Sequence, residues 1–307
     1  MDSLQLVKGD GVVRGISVIL FVVGLVSSCF PALAGISLAQ GAATPTASSD
    51  ALFTAEGVDA PILASAEIDA ILLTEPSLLL ERILIPADSS LPTHTAASAE
   101  LLFVEEGEFS IEDAFGFGST VESGEQLSIN ADAEYSLAND SDDDAFVLRL
   151  RLSSGNEPET GASPEASPIV DSLNTQVLIE QSVDSLPTGD STMFISRATF
   201  ELGAESGEQE HAGPLGIYVE DGTLSILSPS GVIGEVGADA GGVLPSDAPF
   251  VATNEEDVET VVLLVGVVES GEALLAEVTP EPTATVAPTP TTEPTATLVL
   301  CQASNAG

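Results

Sequence analysis

Residues 82–139 of this chain occur twice, the second copy following the first at a constant offset of 115. The offset carries Arg82 to Arg197, Val104 to Val219, Glu105 to Glu220, Gly107 to Gly222, Ser110 to Ser225, Ile111 to Ile226, Asp132 to Asp247 and Asn139 to Asn254, without a gap. Apolar positions stay in register too, with Phe103 over Tyr218, Ile129 over Leu244, Phe146 over Val261 and Leu148 over Leu263. A fixed period of this length makes each copy one structural unit and the chain two such units. The 307 residues have room for both, and a 44% hydrophobic content is enough to build their cores.

Charge narrows the partners. Formal net charge is −43, and beyond Ala39 the basic residues are Arg82, Arg149, Arg151 and Arg197 alone. Nucleic acid and anionic membrane surfaces repel such a chain. The acidic surplus reads first as a solubilising surface, with adaptation to high salt or collection of divalent cations as the alternative.

Lys8 and Arg14 precede an uncharged run over residues 16–26, and small residues follow at Ala32, Ala34, Ser37 and Ala39. This is the pattern of an export segment, cut after Ala34 or Ala39. The stretch 26–29, Val-Ser-Ser-Cys, is an alternative lipidation site at Cys29, and an uncut segment would serve as an anchor. Every variant places the protein outside the cytoplasm, secreted or on the cell surface. Membrane contact is expected only through this segment, uncleaved or lipidated. Cys29 and Cys301 are the two cysteines, one in the leader and one at the far end, so no disulfide framework is expected.

Composition divides the chain into an export segment or anchor (1–39), a flexible tether (40–66), a first unit (67–153), a Pro- and Gly-bearing linker (154–185), a second unit (186–270) and a Pro/Thr-rich tail (271–307). Within the first unit, strand character is expected over residues 78–85, 101–104, 109–111, 127–129 and 146–152. In the last of these, Phe146, Leu148, Leu150 and Leu152 alternate with Val147, Arg149 and Arg151, which predicts one buried and one wet face. The matching stretch 261–268 is apolar on both faces and so is expected to pack against another sheet or the first unit. Short strands and regular turns make the expected class all-β.

Two stretches carry a resemblance. Residues 92–108 run Pro-Thr-His-Thr-Ala, three more residues, then Glu-Leu-Leu-Phe-Val-Glu-Glu-Gly-Glu, and residues 130–139 run Asn-Ala-Asp-Ala-Glu-Tyr-Ser-Leu-Ala-Asn. Their spacings resemble the two motifs of the cupins in both copies, over residues 75–153 and 190–269. The resemblance implies two tandem double-stranded β-helix (jelly-roll) barrels, that is, a bicupin. It also implies a metal held by three histidines and a glutamate in the barrel mouth, where an open coordination position would serve catalysis. Here the ligand set is incomplete. The first copy has His94 and Glu100 at ligand positions but Ala96 and Tyr135 at the others; the second has Gln209, His211, Leu215 and Phe250.

The expectation is therefore an exported, non-catalytic cupin-domain protein that binds a small organic ligand in a mainly apolar pocket. Pocket residues would be His94, Glu100 and Tyr135 in one barrel and Gln209, His211 and Phe250 in the other, with the histidines at the rim. No catalytic residue is assigned and no cofactor is favoured. A metal-dependent dioxygenase or isomerase using His94, Glu100 and Tyr135 with a single divalent metal is one alternative. A structural envelope or interaction module is the other. Barrels of this kind pair, which implies a homodimer or a pairing of the two barrels within the chain. Arg82 and Arg197 are expected to pair with nearby carboxylates.

Overall fold

The computed structural model describes residues 52–70, 73–154, 173–228 and 231–278. The expected export segment, Cys29, most of the expected linker, the Pro/Thr run and Cys301 lie outside the described residues.

Two short strands come first, β1 (Val58–Asp59) and β2 (Ile62–Ile68). The first unit follows as β3 (Pro76–Ile85), β4 (Ser89–Thr95), β5 (Glu100–Glu106), β6 (Glu108–Asp113), β7 (Gly118–Glu122), β8 (Gln126–Ile129), β9 (Glu134–Asn139) and β10 (Ala145–Ser154). After β11 (Asn174–Ser182), the second unit is β12 (Ser191–Phe200), β13 (Gln209–Glu210), β14 (Leu215–Asp221), β15 (Thr223–Ser228), β16 (Gly231–Gly237), β17 (Ala240–Leu244), β18 (Val251–Thr253) and β19 (Thr260–Glu269); β20 (Ala276–Glu277) closes the described chain. The bounds of β3, β5, β6 and β10 fall on those of β12, β14, β15 and β19 when 115 is added. The sequence repeat is thus a repeat of strands.

In the first unit the strands pair as nested antiparallel couples, β6 with β7, β5 with β8, β4 with β9 and β3 with β10. Folding that long hairpin over on itself gives two facing sheets, β3-β10-β5-β8 and β4-β9-β6-β7. The second unit nests the same way, with β15·β16, β14·β17, a bridge Gln209↔Phe250 beside β18, and β12·β19. Turn chemistry repeats with it. Gly107 and Gly222 have φ of 76° and 82°, where a Cβ would come within 2.5 Å of Asp144 O or Thr260 Oγ1. Asn139 Nδ2 donates to Ile85 O and Asp143 O, and Asn254 Nδ2 repeats this at Phe200 O and Val258 O. Each asparagine is fully buried, and its amide satisfies backbone carbonyls that the departing strands leave unpaired.

Three interior layers result. The first barrel encloses Ile83, Ile85, Leu102, Val104, Phe109, Ile111, Tyr135 and Val147; the second encloses Phe194, Phe200, Ile217, Leu224, Phe250, Val262 and Leu264. Between them lies a third layer, to which β10 gives Leu148, Leu150 and Leu152 and β19 gives Leu263, Val265 and Val267. The expectation for 261–268 holds, since Val262 and Leu264 face into their own barrel while the odd-numbered residues face the other. For β10 the expected wet face is corrected. Its Leu148 face is the contact between barrels, and Val147, Arg149 and Arg151 face into the barrel, where the arginines are only about a fifth exposed. Strand alternation fixes that two faces differ but not which one meets water.

The tether, linker and tail boundaries also change. β2 pairs with β12 of the second barrel, and β11 pairs with β3 of the first, so each barrel's inner sheet is extended by the strand that leads into the other. Leu52 and Phe53 are buried in the second barrel, with Phe53 edge-on to Phe200 at 5.7 Å. At the other end β20 pairs with β13, and Leu274 and Leu275 pack on the same core. These segments are rich in small and polar residues, which hides their strand role until a sheet edge is there to receive them.

At one edge of the interface stands a pseudo-symmetric square of charges. Arg82 donates from Nε to Glu105 Oε2 at 2.6 Å and also pairs with Glu220; Arg197 donates from Nε to Glu220 Oε2 at 2.7 Å and also pairs with Glu105. The expected carboxylate pairing of both arginines is what the fold makes, and half of it runs between the barrels.

Candidate functional site

In the first barrel, strand register brings the unusual residues together. Arg149 on β10 lies opposite Glu81 on β3, Arg151 lies opposite Glu100 on β5, and His94 on β4 lies opposite Tyr135 on β9. Glu81 Oε2 accepts from Arg149 Nε at 2.9 Å and Arg151 Nε at 3.2 Å, and Arg149 Nη2 stands 2.8 Å from it. Glu100 Oε2 accepts from the Tyr135 hydroxyl at 3.1 Å and lies 3.7 Å from Arg149 Nη1. The His94 ring tilts against Tyr135 at a centroid distance of 4.0 Å, its Nδ1 3.2 Å from Pro92 O. A cavity of about 70 Å³ opens among Glu81, His94, Leu102, Tyr135, Arg149 and Arg151.

The electrostatics follow from burial and pairing. Burial opposes the charge on Arg149, but Glu100 and Glu81 outweigh it and hold the guanidinium more firmly protonated than usual. Burial, reinforced by the Glu100 charge, pushes the Tyr135 phenol well above its ordinary value, so it remains a hydrogen-bond donor at neutral pH. Burial also lowers His94, which is therefore neutral there.

The second barrel carries none of this charge at the corresponding positions. Glu81, Glu100, Tyr135, Arg149 and Arg151 are matched by Ser196, Leu215, Phe250, Leu264 and Gly266. Phe250 is fully buried, and the Phe194 ring lies where a Cβ on Gly266 would be, at 2.7 Å. Gln209 is 3% exposed and donates to Ser206 O. His211 is corrected from a rim residue to a buried one, 2% exposed, edge-on to Phe250 at 5.9 Å. Its Nδ1–H donates to Gly213 O, and its Nε2 has no hydrogen-bond partner among the described residues. Burial lowers the His211 pKa, so protonation opposes folding. Its contribution to stability is complete above the ordinary value of 6.5 and is lost as pH falls through the lower folded-state value. Urea midpoints measured at pH 7.5 and 5.5 are expected to drop in the native chain and to drop less in His211→Gln.

No family model matches the sequence, and no curated protein matches it. Solved structures do. The Cupin 2 conserved barrel domain protein from Leptotrichia buccalis is 16% identical with a TM-score of 0.35, covering 66% of this chain and 89% of that one. Oxalate decarboxylase from Bacillus subtilis is 13% identical with a TM-score of 0.45, covering 73% and 76%. Vicilin from Corylus avellana is 12% identical with a TM-score of 0.43, covering 73% and 84%. The nested eight-strand pairing, made twice, is a jelly roll. The chain folds as two tandem jelly-roll barrels. In the first of them the residues at the expected ligand positions do not fit a metal ion. Glu100 is already engaged by the Tyr135 hydroxyl and faces the Arg149 guanidinium, a fixed positive charge that a cation would have to displace. Among the described residues no three His, Cys, Asp or Glu side chains converge as a ligand group.

Sequence reasoning named His94, Glu100 and Tyr135 and did not name Glu81, Arg149 and Arg151, which the strands bring beside them. The signal was present: Glu81 interrupts an apolar strand, and half of the four arginines after Ala39 lie two residues apart on another.

Proposed function

We propose that this chain is an exported, non-catalytic bicupin that binds a small organic ligand in its first barrel. The supporting observation is the contrast between the barrels: the first keeps a cavity beside Tyr135, His94 and two arginines, whereas the equivalent positions of the second are filled by Phe194, Leu215, Phe250 and Leu264. The ligand is thus assigned to one barrel. His94, Tyr135, Arg149 and Glu100 orient it. Export rests on the charged, apolar and small-residue order of the first 39 residues.

A structural role is the second reading, favoured by the second barrel itself, whose core receives both Leu52–Phe53 and Leu274–Leu275 and so anchors both ends of the described chain. Elemental analysis separates these readings from a metal enzyme. Protein from residue 40 onward, purified without chelator, is expected to hold less than roughly a tenth of an equivalent of iron, manganese, nickel or zinc. One equivalent, lost in His94→Ala, overturns the non-catalytic reading. Thermal-shift titration with small organic acids, amides and polyols then separates binding from structure. A shift abolished by Arg149→Met supports a ligand site, and no shift with any compound supports the structural role.

A further inference from the structure

The cavity of the first barrel is richer in donors than in acceptors. Two guanidinium groups bring roughly five N–H donors each, against two carboxylates. Those carboxylates are already in use, Glu81 Oε2 by Arg149 and Arg151, and Glu100 Oε2 by Tyr135. Arg149 Nη1, at 3.7 Å from Glu100 Oε2, is held there by charge and lies beyond hydrogen-bond reach. Arg149 also meets the Tyr135 hydroxyl, so an entering oxygen finds the guanidinium and the phenol side by side on the cavity lining. Leu91, Leu102 and Leu137 also line the cavity and offer apolar surface to a short carbon chain.

We propose that Arg149 is the fixed cation of the first barrel and that the ligand it takes is a small monocarboxylate, bound without metal. The proposal rests on the ligand-binding reading above and names the ligand's class. A cavity of about 70 Å³ holds a formate- or acetate-sized anion, or the carboxylate end of a longer acid whose remainder leaves past half-buried His94. Its carboxylate accepts from the Arg149 guanidinium in a charge-assisted bond. No equivalent site forms in the second barrel, where Leu264 stands in place of Arg149.

The test is calorimetric titration of the whole chain with sodium formate, acetate and butyrate, against acetamide and glycerol at matched ionic strength, with and without chelator. Acetate or a homologue is expected to bind at least tenfold more tightly than acetamide, unaffected by chelator. The preference is expected to vanish in Arg149→Met and to be partly retained in Arg149→Lys. Tyr135→Phe, which copies the residue the second barrel folds with at Phe250, guards against a variant that fails to fold and is expected to weaken acetate several-fold. Acetamide or glycerol binding as well as acetate overturns the carboxylate assignment and leaves the ligand site standing. Loss of acetate binding on chelation overturns the metal-free claim. No binding by any of the five compounds in a folded chain overturns both this inference and the ligand-binding reading.

Discussion

Glu81→Ala is expected to lower the unfolding free energy by about 3–5 kcal/mol, the usual cost of removing one partner from a buried ion pair. Glu81 is 5% exposed in its side chain and is the shared acceptor of Arg149 and Arg151, so alanine leaves two guanidinium groups inside the first barrel without it. The penalty comes from the stranded cations more than from the lost bonds. Glu81→Met/Arg149→Met, which removes a charge of each sign and keeps volume, is therefore expected to recover at least half of the loss. Urea denaturation of the three proteins decides it. A single-variant cost under about 1 kcal/mol would mean that water reaches the cluster and that it is not a buried network.

The second large effect is expected at the square between the barrels. Glu105→Gln/Glu220→Gln leaves Arg82 and Arg197 facing each other without their carboxylates and is expected to cost about 2 kcal/mol; the arginines are a quarter to a third exposed, which lowers the figure from that of a dry pair. Burial works to raise the Glu220 pKa, but Arg197 and Arg82 outweigh it and hold the carboxyl below its ordinary value. Stability from Glu220 is thus fully present above the ordinary value of 4.5 and is lost as pH falls through the depressed folded-state value. Native protein is expected to lose midpoint temperature steeply below pH 4.5 while the double variant changes less, which calorimetry from pH 7 to 3 would show. A variant that follows the native curve would mean that the square adds no pH-dependent stability. This acid loss lies below the one assigned to His211, so the two are separable on one pH series.

Four arginines serve the body of an otherwise acidic chain, and the fold places every one in a carboxylate cluster: Arg82 and Arg197 between the barrels, Arg149 and Arg151 inside one. With so few cations each has a specific place.

The sequence by itself determined the architecture. A gapless offset of 115 fixed two copies, carrying Gly107 to Gly222 and Asn139 to Asn254, and the short apolar runs marked five of the eight strands of the first barrel. A repeat and a run of strand-forming residues show directly in the order of residues. It also marked where a metal site was incomplete, because missing histidines are visible position by position. Only the tertiary structure decided which face of β10 meets the other barrel, that β2 and β11 cross to each other's sheets, and that Glu81 and Arg149 share one cavity. Those outcomes depend on pairings between residues up to more than a hundred apart in the chain, such as Ser65 with Phe194. Alternation along a strand says that two faces differ, but the partner sheet supplies the environment that makes one of them the interior.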